Sequence, residues 1–458
     1  MKTDTIAAIA TGMTNSGIGI VRMSGADAFL VADRIFRSRK GHKKVSEMET
    51  HTVHYGYIAD GDEVIDEVLL LVMRAPNTYT REDVVEIDCH GGVLVMQRLL
   101  ETVFHYGARP AEPGEFTKRA FLNGRIDLSQ AESVIDVINA KNDLALKSSV
   151  SQLRGSVCTR IRDIRSVLLT QMAFIESALD DPEHYSLEGY APELCSVVED
   201  LYAQVEKLVD SAGNGRMLRE GIQTVIVGKP NAGKSSLLNL LVGEERAIVT
   251  DIAGTTRDIL QEQIQIGGIG LNVMDTAGIR RTEDVVEKIG VSRSFEQLEK
   301  ADLVIFVVDS STALDENDFQ IIEAIRGRRA IVLLNKSDLE TRTSQEDLET
   351  LVDHPILSVS AAQQSGIEEL ESLIQEMFFH GQISFNDEVY ITNARQKAAL
   401  AEAAASLAMV TEGLQQGFSE DFVIIDMIDA YTSLGAVIGE AVDDDLVNEI
   451  FSKFCMGK

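Results

Sequence analysis

Residues 228–235 read GKPNAGKS and match the pattern G-x-x-x-x-G-K-[ST]. A β-branched run at 225–227 precedes them and an apolar stretch at 237–242 follows, which predicts a strand, a loop and a helix in that order. In this context the glycines let backbone N–H groups surround phosphate oxygens, Lys234 places a charge near the β and γ phosphates, and Ser235 offers a hydroxyl to Mg²⁺. The stretch therefore predicts a nucleoside triphosphate site on a parallel α/β fold.

A second motif, DTAG at residues 275–278, follows the strand-like run at 271–274. Asp275 at a strand end can hold Mg²⁺, and the N–H of Gly278 can sense the γ phosphate. The pair of motifs predicts a hydrolysis switch.

Two further motifs favour guanine as the base. NKSD at 335–338 ends a predicted strand, and the Asp338 carboxylate can accept from both the ring N–H and the amine of guanine, donors that adenine lacks. SAA at 360–362 follows another strand and would supply a backbone contact to the guanine carbonyl. Four motifs in this order predict a Ras-like GTPase domain that uses GTP.

Ile279 stands where Ras-like enzymes carry the glutamine that orients the attacking water. Glu283, Asp284 and Glu287 follow as acidic candidates, although each could equally be a solvated residue at a helix start. Residues 250–258, TDIAGTTRD, are rich in hydroxyl and small side chains, as a switch loop with a Mg²⁺-binding threonine should be. Catalysis must therefore be arranged differently from that of Ras.

The periodicity of the apolar residues divides the chain into four segments. The pattern predicts an α+β domain at residues 1–120 and helices at residues 121–215. It then predicts the α/β domain at residues 216–381 and further helices at residues 382–458. The predicted fold class is multidomain: an α+β N-terminal domain, an all-α helical domain, and an inserted α/β P-loop (Ras-like) GTPase domain. Two separate helical domains are an open alternative. Within the first helical segment, Gly-Asn-Gly at 213–215 predicts the end of a helix that Pro192 opens.

Composition narrows the functional classes. The net charge of −31 on 458 residues repels phosphate backbones, so a bound nucleic acid must be held by a local basic patch or by a partner protein. The 4 cysteines include no Cys-x-x-Cys pair, so reduced thiols are expected. No long apolar run or signal peptide is evident, which predicts a cytoplasmic protein.

Over essentially its full length the chain resembles the MnmE (TrmE) family of tRNA-modification GTPases. The matching stretches are GEFTKRAFLNG at 114–124 with Asp127-Leu128, DIAGTTRD at 251–258, and the terminal FCMGK at 454–458. The resemblance implies a folate-binding and dimerisation domain at 1–120, a helical domain built from 121–215 and 382–458 with a C-terminal Cys-x-Gly-Lys motif, and an inserted G domain at 216–381.

The resemblance also implies the reaction. A K⁺-dependent, GTP-hydrolysing enzyme would act with an FAD-dependent partner and a tetrahydrofolate one-carbon donor (5-formyl- or 5,10-methylene-tetrahydrofolate). Together they would add an aminomethyl or carboxymethylaminomethyl group to C5 of the wobble uridine of certain tRNAs. The implied assembly is a homodimer that forms a heterotetramer with an MnmG/GidA-like subunit carrying the FAD, binds tRNA and contacts no membrane.

Two other functions stay open. A regulatory or ribosome-assembly GTPase would bind RNA without altering it, and a membrane-remodelling GTPase would contact lipid. The first would need a basic RNA-binding appendage and the second an apolar or polybasic lipid contact. Neither feature is evident in the sequence.

Site residues follow from the resemblance by position. Glu287 would orient the attacking water, and Cys455 is either a nucleophile or an ordinary small apolar residue near the chain end. The implied ligands of the metals are Ser235 and Thr256 for Mg²⁺ and Asn231, Thr250, Ile252 and Thr255 for K⁺. The implied folate contacts are Arg22, Glu82, Arg125 and Lys458. The implied GTP contacts are Asn231, Ala232, Gly233, Lys234, Ser235, Ser236, Thr250, Asp251, Ile252, Ala253, Gly254, Thr255, Thr256, Asp275, Thr276, Ala277, Gly278, Asn335, Lys336, Asp338, Ser360, Ala361 and Ala362.

Overall fold

The computed structural model describes residues 4–39, 43–242, 262–274, 298–379, 390–440, 444–454 and 457. The chain forms two compact units. Unit 1 comprises residues 1–135, 152–170 and 431–458, and unit 2 comprises residues 136–151 and 171–430. None of the helices in the described ranges is long and apolar enough to span a bilayer.

Unit 1 contains a seven-stranded sheet. Its strand order is β3-β4-β5-β6-β2-β1-β7, and every neighbouring pair is antiparallel except β1 with β7. The strands are β1 (Ile6–Ile9), β2 (Gly19–Ser24), β3 (Phe36–Ser38), β4 (Thr52–Asp60), β5 (Glu63–Met73), β6 (Val84–Cys89) and β7 (Arg109–Pro110).

Two helices pack on one face of this sheet, and a third packs against Ile6 and Ala8 on the other face. Helix α1 spans Ala28–Ile35, α2 spans Val93–His105 and α3 spans Glu115–Leu122. Alternate residues of the strands, such as Val85 and Ile87 of β6, pack with α1 and α2 in one buried core. The predicted α+β character of the N-terminal segment is confirmed.

Four helices follow along the chain: α4 (Leu128–Asn139), α5 (Asp143–Leu153), α6 (Ser156–Asp180) and α7 (Ala191–Glu220). The predicted helix end at residues 213–215 is wrong, because α7 continues through it. A Cβ on Gly215 would lie 2.1 Å from the carbonyl oxygen of Ile391, so this glycine allows two main chains to approach closely. The helix instead ends at Gly221, whose φ of +88° is left-handed.

Unit 2 contains a six-stranded sheet of order β13-β12-β11-β8-β10-β9, parallel except for the β9–β10 pair. Strands β11 and β12 are buried at every residue, as expected for the middle of a parallel sheet. The strands are β8 (Ile222–Val227), β9 (Glu262–Ile266), β10 (Ile269–Val273), β11 (Leu303–Asp309), β12 (Ala330–Asn335) and β13 (Ile356–Ser358). Helices α8 (Lys234–Val242), α9 (Glu316–Ile325), α10 (Gln345–Glu349) and α11 (Ile367–Phe379) belong to the same segment.

The chain ends in α12 (Ala394–Gln415), α13 (Glu420–Ile438) and α14 (Asp444–Ser452). Within unit 2, α12 packs along α7 and buries Ala399, Ala403 and Leu407. Thus the α/β segment begins after one helix and ends before another that packs on the first. This packing supports an inserted domain, and the boundaries at 120, 215 and 381 remain predictions.

Candidate functional site

The phosphate loop joins β8 to α8, the order of elements that the sequence predicts. Its backbone is left-handed at Asn231, with φ of +62°, and at Gly233, with φ of +99°. A Cβ on Gly233 would lie 2.1 Å from Nδ2 of Asn335, so only glycine fits there. Unlike Gly233, Asn231 has a side chain, so its positive φ costs conformational free energy. Such backbone strain concentrates at functional sites.

Lys234 rests inside the phosphate loop. Its Nζ donates to the carbonyl oxygens of Gly228, at 2.5 Å, and of Lys229, at 2.8 Å. Burial lowers the pKa of Lys234, because the interior disfavours its charged form. A phosphate group reaching this ammonium would supply the negative charge that two neutral carbonyls do not.

The NKSD loop is tied to the phosphate loop by one buried amide. Asn335, at the end of β12, donates from Nδ2 to the Ala232 carbonyl oxygen at 2.9 Å, and its Oδ1 accepts from the N–H of Ala361 at 3.2 Å. Asn335 is only 2% exposed. Three motif loops are therefore held together at the carboxyl ends of β8, β12 and β13.

Asp338 is exposed at this edge of the sheet, and Ser360 orients it. The Ser360 hydroxyl donates to Oδ1 of Asp338 at 2.5 Å, and the same hydroxyl accepts from the N–H of Gln363 at 3.1 Å. Asp338, Ser360 and Ala361 thus meet, as the two guanine motifs predict. A carboxylate held in place beside a free loop edge is suited to two N–H donors on one ring.

The sequence interpretation missed Asp309 and Ser310, which contact the predicted site residue Lys336. Lys336, with φ of +64°, donates from Nζ to Oδ2 of Asp309 at 2.6 Å, and the Ser310 hydroxyl donates to the Lys336 carbonyl oxygen. Burial opposes ionisation of Asp309, but the hydrogen bonds from Lys336 and Ser311 lower its pKa overall. A polar Asp-Ser-Ser run directly after the apolar strand β11 was the available signal.

The predicted folate residues in unit 1 come from separate strands and loops. Arg22 on β2 donates from Nε to Oε1 of Glu86 on the neighbouring β6, at 2.6 Å, and from Nη1 to the Gly457 carbonyl oxygen at 3.1 Å. Arg22 and Arg125 both lie near the ring of Tyr79, at 6.0 and 4.7 Å from its centroid. The structure therefore brings the two arginines around one aromatic ring.

A pocket of about 500 Å³ opens beside Tyr79 and is lined in part by Arg81 and Arg125. An aromatic ring with two cationic side chains fits a ligand that joins a flat ring system to carboxylates.

Glu82 is not an open carboxylate. Its Oε2 accepts from the Ser24 hydroxyl at 2.7 Å and from Nη1 of Arg119 at 3.1 Å. Arg119 is 7% exposed and also donates to Glu115 and Asp4, so one buried guanidinium joins three carboxylates. Sequence reasoning found Glu82 but missed Arg119, which stands inside the quoted GEFTKRAFLNG motif.

Several predicted site residues lie outside the described residues: Thr250, Asp251, Ile252, Ala253, Gly254, Thr255, Thr256, Asp275, Thr276, Ala277, Gly278, Glu287, Cys455 and Lys458. Among the predicted ligands that are described, Ser235 and Asn231 are exposed on the loop and first turn. No group of three or more His, Cys, Asp or Glu is placed to hold a metal within the described ranges. Burial raises the pKa of Cys89 to about 11 and of Cys158 to about 12, so neither thiol is a ready nucleophile.

Comparison with protein families shows which family this chain belongs to. A family model described as MnmE helical domain matches residues 128–455, and one described as GTP-binding protein TrmE N-terminus matches residues 5–125. The chain belongs to the MnmE family of tRNA modification GTPases. This membership confirms the predicted resemblance, the multidomain fold class with its P-loop domain, and the assignment as a GTPase.

Two relatives named tRNA modification GTPase MnmE match this chain over essentially the whole length of both sequences. A protein of Lachnoclostridium phytofermentans named tRNA modification GTPase MnmE is 58% identical over 458 residues, which is 100% of both chains. The protein of that name from Enterococcus faecalis is 48% identical and covers 100% of this chain and 99% of its own. The solved G domain of the T. maritima FeoB iron transporter is 26% identical over 34% of this chain and 97% of its own, with a TM-score of 0.26, too low to support an argument about the fold.

Proposed function

We propose that this MnmE-family chain hydrolyses GTP as a step in the modification of C5 of wobble uridine in certain tRNAs. The observation that carries the nucleotide part is the joining of Asn335, Asp338 and Ser360 to the phosphate loop at one sheet edge. Asp338 selects guanine, while Asn335 fixes the distance between the base site and the phosphate site. Lys234 and the loop amides bind the phosphates.

K⁺ and Mg²⁺ are the proposed metals. Ser235 and Thr256 would hold Mg²⁺, and Asn231 with Thr250, Ile252 and Thr255 would hold K⁺. The exposed, left-handed Asn231 supports this assignment, because its amide oxygen can reach a cation beside the phosphates. When bound, K⁺ supplies positive charge where other GTPases insert an arginine.

Glu287 is the proposed water-orienting group. Cys455 is the proposed nucleophile towards the one-carbon unit or the uridine.

The proposed one-carbon donor is a reduced folate, 5-formyl- or 5,10-methylene-tetrahydrofolate, bound in unit 1. Arg22, Arg125 and Lys458 would bind its glutamyl carboxylates, and Glu82 would accept from the pterin amide and amine. The grouping of both arginines around Tyr79, beside a pocket of about 500 Å³, supports this site. The hydrogen bonds of Glu82 to Ser24 and Arg119 would fix its carboxylate before the pterin arrives.

The proposed assembly is a cytoplasmic homodimer, paired through residues 1–120, that binds tRNA and an MnmG/GidA-like subunit carrying FAD in a heterotetramer. The net charge of −31 supports a partner protein as the main holder of the tRNA, because the chain as a whole repels phosphate.

Reconstitution with omissions tests the proposal. The purified chain is mixed with the FAD-dependent subunit, GTP, Mg²⁺, K⁺, 5,10-methylene-tetrahydrofolate, an amine donor and unmodified tRNA, and the nucleosides are analysed by mass spectrometry. We expect a modified uridine only in the complete mixture, and a strong fall in GTP turnover when Na⁺ replaces K⁺ at equal ionic strength. GTP turnover with no change in nucleoside mass would favour the regulatory GTPase instead.

A further inference from the structure

Lys229, the second residue of the phosphate loop, is held against the start of α9. Its side chain is 11% exposed, and its Nζ donates to Oδ2 of Asp318 at 3.0 Å and to the carbonyl oxygen of Ala313 at 3.3 Å. A second carboxylate, that of Asp315, lies 3.7 Å away. The phosphate loop is thus connected through a side chain to an element that is distant in sequence.

Asp318 makes this connection strong. It is fully buried, and its Oδ2 also accepts from the N–H of Asp315 at 3.1 Å as part of the capping box of α9. Its other oxygen, Oδ1, has no hydrogen-bond partner among the described residues. An ionised carboxylate in the interior is very unfavourable without a paired cation, and Lys229 supplies that charge.

The main chain of Lys229 makes contacts within the phosphate loop. Its carbonyl oxygen accepts from Nζ of Lys234 at 2.8 Å and from the N–H of Ala232 at 3.3 Å. The neighbouring Gly228 is pressed against β11, where a Cβ would lie 2.3 Å from the Val307 carbonyl oxygen. Because the anchored side chain and this carbonyl belong to one residue, fixing the first restrains the second.

We propose that Lys229 is a positioning residue for nucleotide binding, which acts through its ion pair with Asp318 to hold the phosphate loop in the shape that receives the phosphates. Lys229 touches no phosphate in this role. Its loss lets the loop carbonyls move, so that part of the binding free energy must be spent on ordering the loop again. The effect falls on affinity, whereas the chemical step at saturating GTP depends on other groups.

The test compares five full-length variants: K229M, K229R, D318N, the double variant K229M/D318N, and R216M. Affinity is measured with a fluorescent GDP analogue and by competition with GTP, and folding is checked by circular dichroism and thermal unfolding. K229M leaves the Asp318 carboxylate unpaired in the interior and risks misfolding. The double variant buries no unpaired charge, so the proposal is judged on it.

We expect the Kd for both nucleotides to rise about tenfold in K229M/D318N, with kcat at saturating GTP within about twofold of wild type. D318N alone should show the same loss of nucleotide affinity, because the two residues act as a unit. K229R keeps a positive charge opposite Asp318, so it should retain most of the wild-type affinity. R216M is the matched control: Arg216 pairs with Asp302 at 2.7 Å in the same unit, away from the loop. Its affinity should equal that of wild type.

Wild-type affinity in the folded double variant would overturn the proposal, because the pair would then serve stability alone. A loss in the folded double variant that folded D318N does not share would also overturn it, since Lys229 would then act directly on the nucleotide.

Discussion

The nucleotide site of unit 2 and the charged cluster of unit 1 are held together in different ways. In unit 2 the decisive contacts use the main chain: Lys234 donates to two loop carbonyls, and Asn335 bonds Ala232 and Ala361 through their backbone groups. In unit 1 the contacts join side chains, with Arg119 shared by Asp4, Glu82 and Glu115.

The difference predicts how each site responds to change. A contact between a motif side chain and the main chain involves only one side chain. A substitution at a motif position should therefore alter nucleotide binding with little effect on the stability of the protein. A buried network of side chains depends on every member, so removal of one leaves others unpaired. Substitutions at Lys234 or Asn335 should therefore act on nucleotide binding, whereas those at Glu82, Glu115 or Arg119 should act on both ligand binding and stability.

The largest effect is expected for Asp338→Asn. Replacing the carboxylate by an amide removes two charge-assisted acceptors for guanine, so we expect GTP affinity to fall by about 1,000-fold. Xanthosine triphosphate, which offers a carbonyl in place of the guanine amine, should bind better to the variant than GTP does. Competition against a fluorescent nucleotide measures both affinities. Unchanged preference for GTP would show that Asp338 does not contact the base.

Glu287→Ala should lower GTP turnover by about 100-fold while nucleotide affinity changes little, since a water-orienting group acts in the transition state. Steady-state hydrolysis at saturating GTP and a separate binding titration distinguish the two effects. Glu283→Ala and Asp284→Ala are the controls and should remain near wild type. If a control lost as much turnover while Glu287→Ala lost none, the assignment would be wrong.

In unit 1, Glu82→Ala should weaken binding of 5-formyltetrahydrofolate by at least about tenfold, the loss of one charged acceptor. It should also destabilise the protein, because Arg119 loses one of its three carboxylates in the interior. Calorimetric titration gives the affinity and thermal unfolding gives the stability. Absence of folate binding to folded wild type would remove the folate site from the proposal.

The smallest effect expected is on the pH dependence of unfolding. Burial raises the pKa of Glu115, but hydrogen bonds from Arg109, from the N–H of Glu112 and from Arg119 hold it below the usual value overall. A carboxyl with a lowered folded-state pKa stabilises the protein above its unfolded pKa, and this stabilisation is lost as the pH falls through the folded value.

The midpoint temperature of thermal unfolding should therefore fall more steeply between about pH 5 and pH 3 for wild type than for Glu115→Gln, because the glutamine side chain does not bind a proton in that range. Parallel curves for the two proteins would show that Glu115 adds nothing to acid stability.

The same contrast explains what could be predicted from the sequence. Each motif of unit 2 is local, because it consists of a strand end and the loop after it. Short stretches of sequence therefore predicted strands β8, β12 and β13 and the contact between Asp338 and Ser360. The pair of Lys229 and Asp318 could not be predicted, because 89 residues separate its members. Arg119 and Glu82 are 37 residues apart, and only the fold shows that they touch.

One error had a different cause. Glycines at 213–215 predict a helix end when the chain is considered alone, yet the helix continues because Gly215 lies against the main chain of Ile391. Tertiary contact decided the outcome there, and local propensity did not.

The most direct test of the link between the two sites uses the altered base specificity of Asp338→Asn in the full reconstituted reaction. The variant is supplied with the FAD-dependent subunit, folate, an amine donor and unmodified tRNA, and then with either GTP or xanthosine triphosphate. If hydrolysis in unit 2 drives the chemistry, modified uridine should form with xanthosine triphosphate and be nearly absent with GTP at the same concentration. Equal modification with either nucleotide, or with none, would contradict that link.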